Sequence, residues 1–230
     1  MNIQQTIHHA DMLLFDVEGT TTSKNFVYDI LFPYSYDQME NFINIHQHEE
    51  KVFELLTALS IELNIEFSPI KIIKVLKEWI KEDRKHTLLK KMQGLIWKEG
   101  YQTGAIHGHV YPDVMKSFQR WKEWGKQISI YSSGSVLAQQ LLFQNSVAGD
   151  LSNFISRYFD TEVGPKRHKD SYLNIAKILK LHPDKIVFFS DILEELQAAE
   201  SAGMQAVLVN RDQTEYPTHS YVSVDSFSCC

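Results

Sequence analysis

The stretch MLLFDVEGTTT, residues 12–22, decides the fold. It opens with an apolar run, Asp16 follows directly, and Glu18 stands two residues later before Gly19 and three threonines. A short apolar run bounded by turn residues is typical of a buried strand. Such a strand delivers Asp16 and Glu18 to its carboxyl end, where open α/β sheets bind ligands. Since Mg²⁺ prefers hard oxygen ligands, the pair indicates a magnesium and phosphate site, although Asp and Gly are also ordinary turn residues.

Length and composition exclude several classes of function. The chain has 230 residues, which suffice for one large domain or a core with an insert. Its net charge of −6 argues against a nucleic-acid partner. The first residues lack the features of a signal peptide, and no apolar run could span a bilayer, so we predict a cytoplasmic protein without a membrane partner. Cys229 and Cys230 are adjacent and are not expected to form a structural disulfide, which suits a reducing compartment.

A second strand-like segment, QISIY, leads into SSGS and then into the helical pattern VLAQQLLF. Hydroxyl side chains and a glycine before a helix make a good anion cradle, because main-chain N–H groups point at the ligand. Ser132 and Ser133 are therefore candidate phosphate and substrate ligands. Ser135 has a simpler alternative role as a helix N-cap.

Two further segments carry charged candidates. Lys166 precedes a predicted helix over residues 170–179 and can reach a phosphate oxygen as a point charge, with Arg167 and Lys169 as competitors. The run IVFFSD is a second apolar strand that ends in an acid, Asp191, and Glu195 follows four residues later. QAVLVN and YVSVDSF add further strands, so alternating β and α units predict an α/β fold with a doubly wound, Rossmann-like parallel sheet.

A helical insert interrupts this pattern. Apolar residues at helical spacing predict three amphipathic helices between about residues 39 and 101, the last ending before Gly100. SKNFVYDILFPYS is interpreted as a connector, its aromatic residues as core packing, and His107 and His109 as structural loop residues. We therefore predict an α/β core of residues 1–24 and 108–230 and an inserted helical cap of residues 25–107.

Four signals follow one another along the chain: DxEGT, a strand ending in serine, a lysine before a helix, and a strand ending in an acid. Together they resemble the four motifs of the haloacid-dehalogenase-like hydrolases. The segments DVEGTTTSKNFVYDILFPY, KKMQGLIWKEGY, GHVYPDV, IYSSGSVLAQQLLF and FDTEVGPK further resemble one branch, the enolase-phosphatases of methionine salvage, also called acireductone synthases. The similar segments are spread over nearly the whole chain.

The resemblance implies a bifunctional enzyme. It would enolise 2,3-diketo-5-methylthiopentyl 1-phosphate, a small phosphorylated diketone, and then remove the phosphate to give acireductone. Asp16 would be the nucleophile and Glu18 the general acid and base. Ser132 and Lys166 would hold the phosphate, and Ser133 the diketone. Mg²⁺ would be held at Asp16, Asp191 and the Glu18 position.

The sequence is also compatible with other functions. One is a general phosphatase or phosphomutase of the same superfamily, and a flat activity profile over sugar phosphates would favour it. Others are a binding module on the same fold and a phosphoacceptor whose phospho-aspartate persists. Nothing in the sequence suggests self-association, so we predict a monomer.

Overall fold

The fold is built on one six-stranded sheet, seen in a computed structural model that describes residues 2–217 and 219–230. The strands are β1 (Met12–Phe15), β2 (Gln127–Tyr131), β3 (Arg157–Phe159), β4 (Ile186–Ser190), β5 (Gln205–Val209) and β6 (Val222–Val224). Their order is β3-β2-β1-β4-β5-β6, and every neighbouring pair is parallel. The prediction of a doubly wound, Rossmann-like sheet is confirmed, and the chain order reverses between β1 and β4.

The chain separates into two compact units. One unit runs up to Lys24 and resumes at Gly108, and the other is Asn25–His107. The sheet belongs to the first unit together with its helices, which are α1 (Ile3–His9), α6 (Pro112–Glu123), α7 (Val136–Gln144), α8 (Lys169–Leu179) and α9 (Leu193–Ser201). No helix in the described part of the chain has the length and apolar character needed to cross a membrane.

The second unit is entirely helical where it is regular. A short π-helix, Phe26–Leu31, runs into α2 (Phe32–His46), and three more helices follow: α3 (Glu50–Glu62), α4 (Pro69–Lys81) and α5 (Thr87–Gln102). They bury one apolar cluster, which includes Met39, Leu56 and Leu76. The three helices predicted from the apolar spacing correspond to α3, α4 and α5.

Three local predictions in this unit are wrong. The expected connector SKNFVYDILFPYS is mostly helical, because Pro33 stands in the first turn of α2, where a missing N–H is tolerated. Gly100 lies inside α5 and does not end it. A side chain at this position would lie 2.6 Å from the Tyr34 ring, so the glycine serves close packing and not helix termination. Phe26 packs in a core as expected, but Tyr28 is 56% exposed.

Aromatic rings pack beneath the two central strands. Phe15 of β1 and Phe189 of β4 are paired in the strand register, and their rings stack with centroids 4.5 Å apart. Trp121 and Phe227 also pack against Phe15, and all four residues are buried. Since Asp16 directly follows Phe15 and Asp191 comes two residues after Phe189, this packing sets the positions of both acids.

Candidate active site

The turn after β1 is held by main-chain hydrogen bonds to a single carbonyl. The Val17 oxygen accepts from three successive amides at 3.2, 2.9 and 2.9 Å, those of Thr20, Thr21 and Thr22. The Thr21 hydroxyl also donates to the Asp16 carbonyl at 3.2 Å. The run of threonines therefore builds a compact turn that presents the acids at the end of β1.

Gly19 is required in this turn for two reasons. Its φ of +80° is a conformation that side chains disfavour. A Cβ at this position would also lie 2.5 Å from Asp191 Oδ2 and 2.6 Å from Lys24 Cε. The missing side chain therefore makes room for the contact between these two residues.

Lys166 joins two acids below the turn. Its ammonium contacts Asp16 Oδ1 and lies 2.6 Å from Glu195 Oε2. Glu195 also accepts a hydrogen bond of 2.9 Å from the Ser190 hydroxyl. The Lys166 carbonyl accepts from the Tyr172 hydroxyl at 2.7 Å, which fixes the main chain that carries the lysine. Since Lys166, Asp16 and Glu195 are all buried, this is a solvent-shielded charge cluster.

Electrostatics keep this lysine positive. Burial alone would lower the pKa of Lys166, but the charges of Asp16 and Glu195 raise it above its ordinary value. The pKa of the Glu18 carboxyl group is also raised, but here burial and the neighbouring Asp16 cause the shift, and Lys166 and Ser132 oppose it. A carboxyl group with a raised pKa is suited to both giving and taking protons near neutral pH.

Ser132 connects β2 to the same site. Its amide donates to the Phe159 carbonyl at 3.1 Å, and its hydroxyl lies 3.3 Å from Glu18 Oε2. Ser133 follows in the turn and is exposed to solvent. Ser135 is the N-cap of α7 and accepts from the Ala138 amide at 3.3 Å, so its capping alternative is confirmed.

Asp191 extends the acid cluster from the end of β4. Lys24 pairs with its Oδ2, whereas its buried Oδ1 accepts no hydrogen bond from the described part of the chain. Burial and the charge of Asp16 raise the pKa of Asp191, and Lys24 opposes the shift. A buried carboxylate oxygen without a donor, next to a second carboxylate, is an arrangement that a cation would stabilise.

The site offers few acidic side chains for binding a metal ion. Residues 2–217 and 219–230 contain no group of three or more His, Cys, Asp or Glu side chains placed to hold a metal ion. Mg²⁺ is usually bound by only one or two carboxylates, with waters and substrate phosphate completing its octahedron. Asp16 and Asp191, with the orphaned Oδ1, therefore fit Mg²⁺ better than a metal that requires a full protein cage.

His109 lies beside the turn in a supporting position. Its carbonyl accepts from the Thr22 hydroxyl at 2.8 Å, and its Nδ1 accepts from the Ser23 amide at 3.1 Å. Burial lowers the pKa of His109, which favours the neutral ring that this acceptor role needs. These contacts agree with the structural interpretation of this histidine.

The structure brings Asp16, Glu18, Ser132 and Lys166 into direct or neighbouring contact and sets Asp191 beside them. The sequence leaves the role of Glu195 open, and the structure pairs it with Lys166. Its position four residues after Asp191 was the available signal. Lys24 was missed altogether, because nothing in the local sequence points a lysine at an acid 167 residues away.

Comparison with known proteins places the chain among the haloacid dehalogenase-like hydrolases. The family model of the haloacid dehalogenase-like hydrolases matches residues 10–203. Enolase-phosphatase E1 of Pseudomonas fluorescens is 44% identical over 218 residues, covering 94% of this chain and 95% of that protein. Enolase-phosphatase E1 of Azotobacter vinelandii is 45% identical over 212 residues, covering 92% and 93% of the two chains.

Solved structures share the fold. The UTR4 protein of Saccharomyces cerevisiae superimposes with a TM-score of 0.83 at 29% identity, over 96% of this chain and 100% of that one. A HAD phosphatase from Thermococcus onnurineus gives a TM-score of 0.62 at 18% identity, over 95% and 94% of the chains, and this likeness speaks for the fold alone.

Proposed function

Because this chain belongs to the haloacid dehalogenase-like hydrolases and, within them, to the enolase-phosphatase E1 family, we propose that it converts 2,3-diketo-5-methylthiopentyl 1-phosphate to acireductone in methionine salvage. Two reactions are combined: enolisation of the diketone and hydrolysis of the phosphate ester. The main structural support is the buried contact between Lys166 and Asp16 at the carboxyl end of β1.

Phosphate removal uses the chain's own groups in two steps. An Asp16 carboxylate oxygen attacks phosphorus, and the ester oxygen leaves as Glu18 gives it a proton. Glu18 then takes a proton from water, whose oxygen attacks the aspartyl-phosphate and releases inorganic phosphate. Lys166 and Ser132 hold phosphate oxygens, and the raised pKa of Lys166 keeps its ammonium charged for that task.

Magnesium completes the proposal. Asp16, Asp191 and the main-chain carbonyl at the Glu18 position would hold it, as the orphaned Oδ1 of Asp191 favours. When bound, the ion supplies positive charge that offsets the repulsion between carboxylate and phosphate.

Enolisation requires a base next to the carbon that bears the phosphate ester. We assign Glu18, because its raised pKa leaves a carboxylate basic enough to accept that proton. The electron pair moves into the new carbon–carbon double bond, and the neighbouring carbonyl oxygen takes up a proton from solvent to give the enol. Ser133, exposed in the turn after β2, would bind oxygens of the diketone.

The unit Asn25–His107 serves as the helical cap of the enzyme. A cytoplasmic location and a monomeric state remain the predictions from the sequence, and size-exclusion chromatography with light scattering tests the second.

The deciding experiment follows both reactions on the diketo phosphate with Mg²⁺, recording enol absorbance and free phosphate together. We expect both signals from the wild type, and Asp16→Asn should keep the enol signal while losing phosphate release. Phosphate release from unrelated sugar phosphates, with none from the diketo phosphate, would show a general phosphatase instead.

The same assay tests the base. Glu18→Gln should lose both enolisation and phosphate release, because the amide accepts no proton. If Glu18→Gln still enolised the substrate at the wild-type rate, the base would have to be another residue. Circular dichroism of each variant checks that the fold is kept.

A further inference from the structure

The two cysteines belong to a segment that is fixed to the core. Phe227 is fully buried against Phe15 and Phe189, and its amide donates to Asp113 Oδ2 at 2.5 Å. Its carbonyl accepts from the Arg120 guanidinium at 2.8 Å. A 3₁₀ helix, Phe227–Cys229, follows, and the Ser226 side chain caps its start. The thiols that come next are therefore held in a defined place.

The two sulfurs converge. Cys229 Sγ and Cys230 Sγ lie 3.9 Å apart, and neither takes part in a disulfide. Both are directed at one main-chain oxygen, the Ser226 carbonyl, at 2.9 Å from Cys229 Sγ and 3.9 Å from Cys230 Sγ. Cys229 is exposed and Cys230 is buried, so the pair is open to solvent on one side only.

This spacing suits a bridging ion better than a sulfur–sulfur bond. An ion about 2.3 Å from each sulfur, the usual zinc–thiolate distance, would see sulfurs 3.9 Å apart at an angle of about 116°, close to tetrahedral or trigonal. Adjacent Cα atoms, about 3.8 Å apart, are closer than the roughly 4.4 Å lower limit for an ordinary disulfide. Oxidation would therefore require the backbone to move, whereas chelation would not.

We propose that Cys229, Cys230 and the Ser226 carbonyl form a binding site for a thiophilic divalent ion of the zinc class, separate from the phosphate site. The ion replaces one proton on each thiol and gains two metal–sulfur bonds, with water completing the coordination from the exposed side. No electron transfer is involved. The proposal does not depend on the catalytic roles assigned above.

Cadmium is the probe, because its bonds to sulfur give an ultraviolet charge-transfer absorption that oxygen ligands do not produce. Full-length protein, reduced with a phosphine and freed of metals, is titrated with Cd²⁺. We expect one sulfur-bound ion per chain in the wild type. Cys229→Ser should abolish the absorption, and because Cys229 is exposed this variant should fold normally. Ser228→Ala, an exposed neighbour without a thiol, should retain it.

The thermal midpoint gives an independent readout, because an ion that binds only the folded chain stabilises it. Cd²⁺ should raise the midpoint of the wild type and of Ser228→Ala. The rise in Cys229→Ser should be smaller, because this variant lacks the sulfur site that binds the ion. Absence of the absorption in the wild type, or its survival in Cys229→Ser, would overturn the proposal. Zn²⁺ in large excess over Cd²⁺ should compete for the same sulfurs and lower the absorption of the wild type.

Discussion

At the scale of single residues, the site depends on the absence of a side chain at Gly19 as much as on its charged groups. Gly19 combines a φ of +80° with a neighbour, Asp191 Oδ2, that would lie 2.5 Å from an added Cβ. Gly125 has nearly the same backbone, with φ +76°, but no atom lies within 4 Å of its Cβ position. The two glycines therefore separate the conformational cost from the steric cost.

Gly19→Ala should be far more damaging than Gly125→Ala. Both substitutions cost roughly 1–2 kcal/mol for the left-handed backbone. Only Gly19→Ala displaces Asp191 or Lys24, and we expect it to lower phosphate release by on the order of a hundredfold. Steady-state phosphate assays on both variants, with urea unfolding beside them, test this; equal losses of activity would contradict it.

At the scale of elements, the sequence predicted five of the six strands and missed the short β3, and it misjudged the connector before α2 and the end of α5. The strands β1 and β4 are continuous apolar runs because parallel strands at the centre of a sheet are covered on both faces. The stretch before α2 misled because its aromatic residues carry no clear helical spacing and Pro33 suggested a stop. Inside the helical unit, a histidine at the end of α2 pairs with the residue that precedes α3 and with a residue of α5.

His46 should make the stability of the helical unit depend on pH. Its Nδ1 lies 2.6 Å from Glu49 Oε1 and its Nε2 lies 2.9 Å from Glu99 Oε2. The hydrogen bond that the His46 ring donates to the Glu49 carboxylate is the largest influence on the pKa of His46 and raises it, and Glu99 adds to the shift. A raised folded-state pKa means that the stabilisation is complete below the unfolded pKa of about 6.5 and is lost as pH rises through the folded value.

We therefore expect His46→Gln to melt below the wild type at pH 6, with the gap narrowing towards pH 9. Melting followed by far-ultraviolet circular dichroism at several pH values measures it. His48→Gln, an exposed histidine two residues away, serves as the control and should follow the wild type throughout. A gap that stayed constant with pH would mean that His46 acts through packing alone.

At the scale of the whole molecule, one ion pair with largely shielded side chains joins segments that are distant in the chain. Arg211 Nη1 donates to Asp113 Oδ2 at 2.7 Å, and its Nε donates to the Thr20 carbonyl in the active-site turn at 3.0 Å. The guanidinium lies over the Tyr111 and Phe227 rings, 4.4 Å from each centroid. The turn after β1, the start of α6 and the segment after β6 are thereby held together.

Arg211→Met should destabilise the protein by at most about 3–5 kcal/mol, because it leaves the shielded Asp113 carboxylate without its positively charged partner. Asp113→Asn added to it should recover part of this loss. Burial would raise the pKa of Asp113, but Arg211 and its other donors lower it overall. The pair therefore stabilises the fold above the ordinary Asp pKa, and its contribution disappears as pH falls through the lowered value.

Urea unfolding of wild type and variant from pH 7 down to pH 3 measures this contribution. The difference between them should be largest near neutral pH and shrink in acid. An undiminished difference at the lowest pH would show that Arg211 stabilises the fold through its aromatic contacts and not through Asp113.

The sequence alone determined the parallel sheet, the alternation of β and α units and the positions of Asp16, Ser132, Lys166 and Asp191 along the chain, because apolar periodicity and the residues that end a strand are local properties. The tertiary structure alone decided the pairs: Lys166 with Glu195, Lys24 with Asp191, Arg211 with the Thr20 carbonyl. Even the contact between Lys166 and Asp16 spans 150 residues. Such pairs depend on the register of neighbouring strands and on the turns after them, and burial of the whole core sets both.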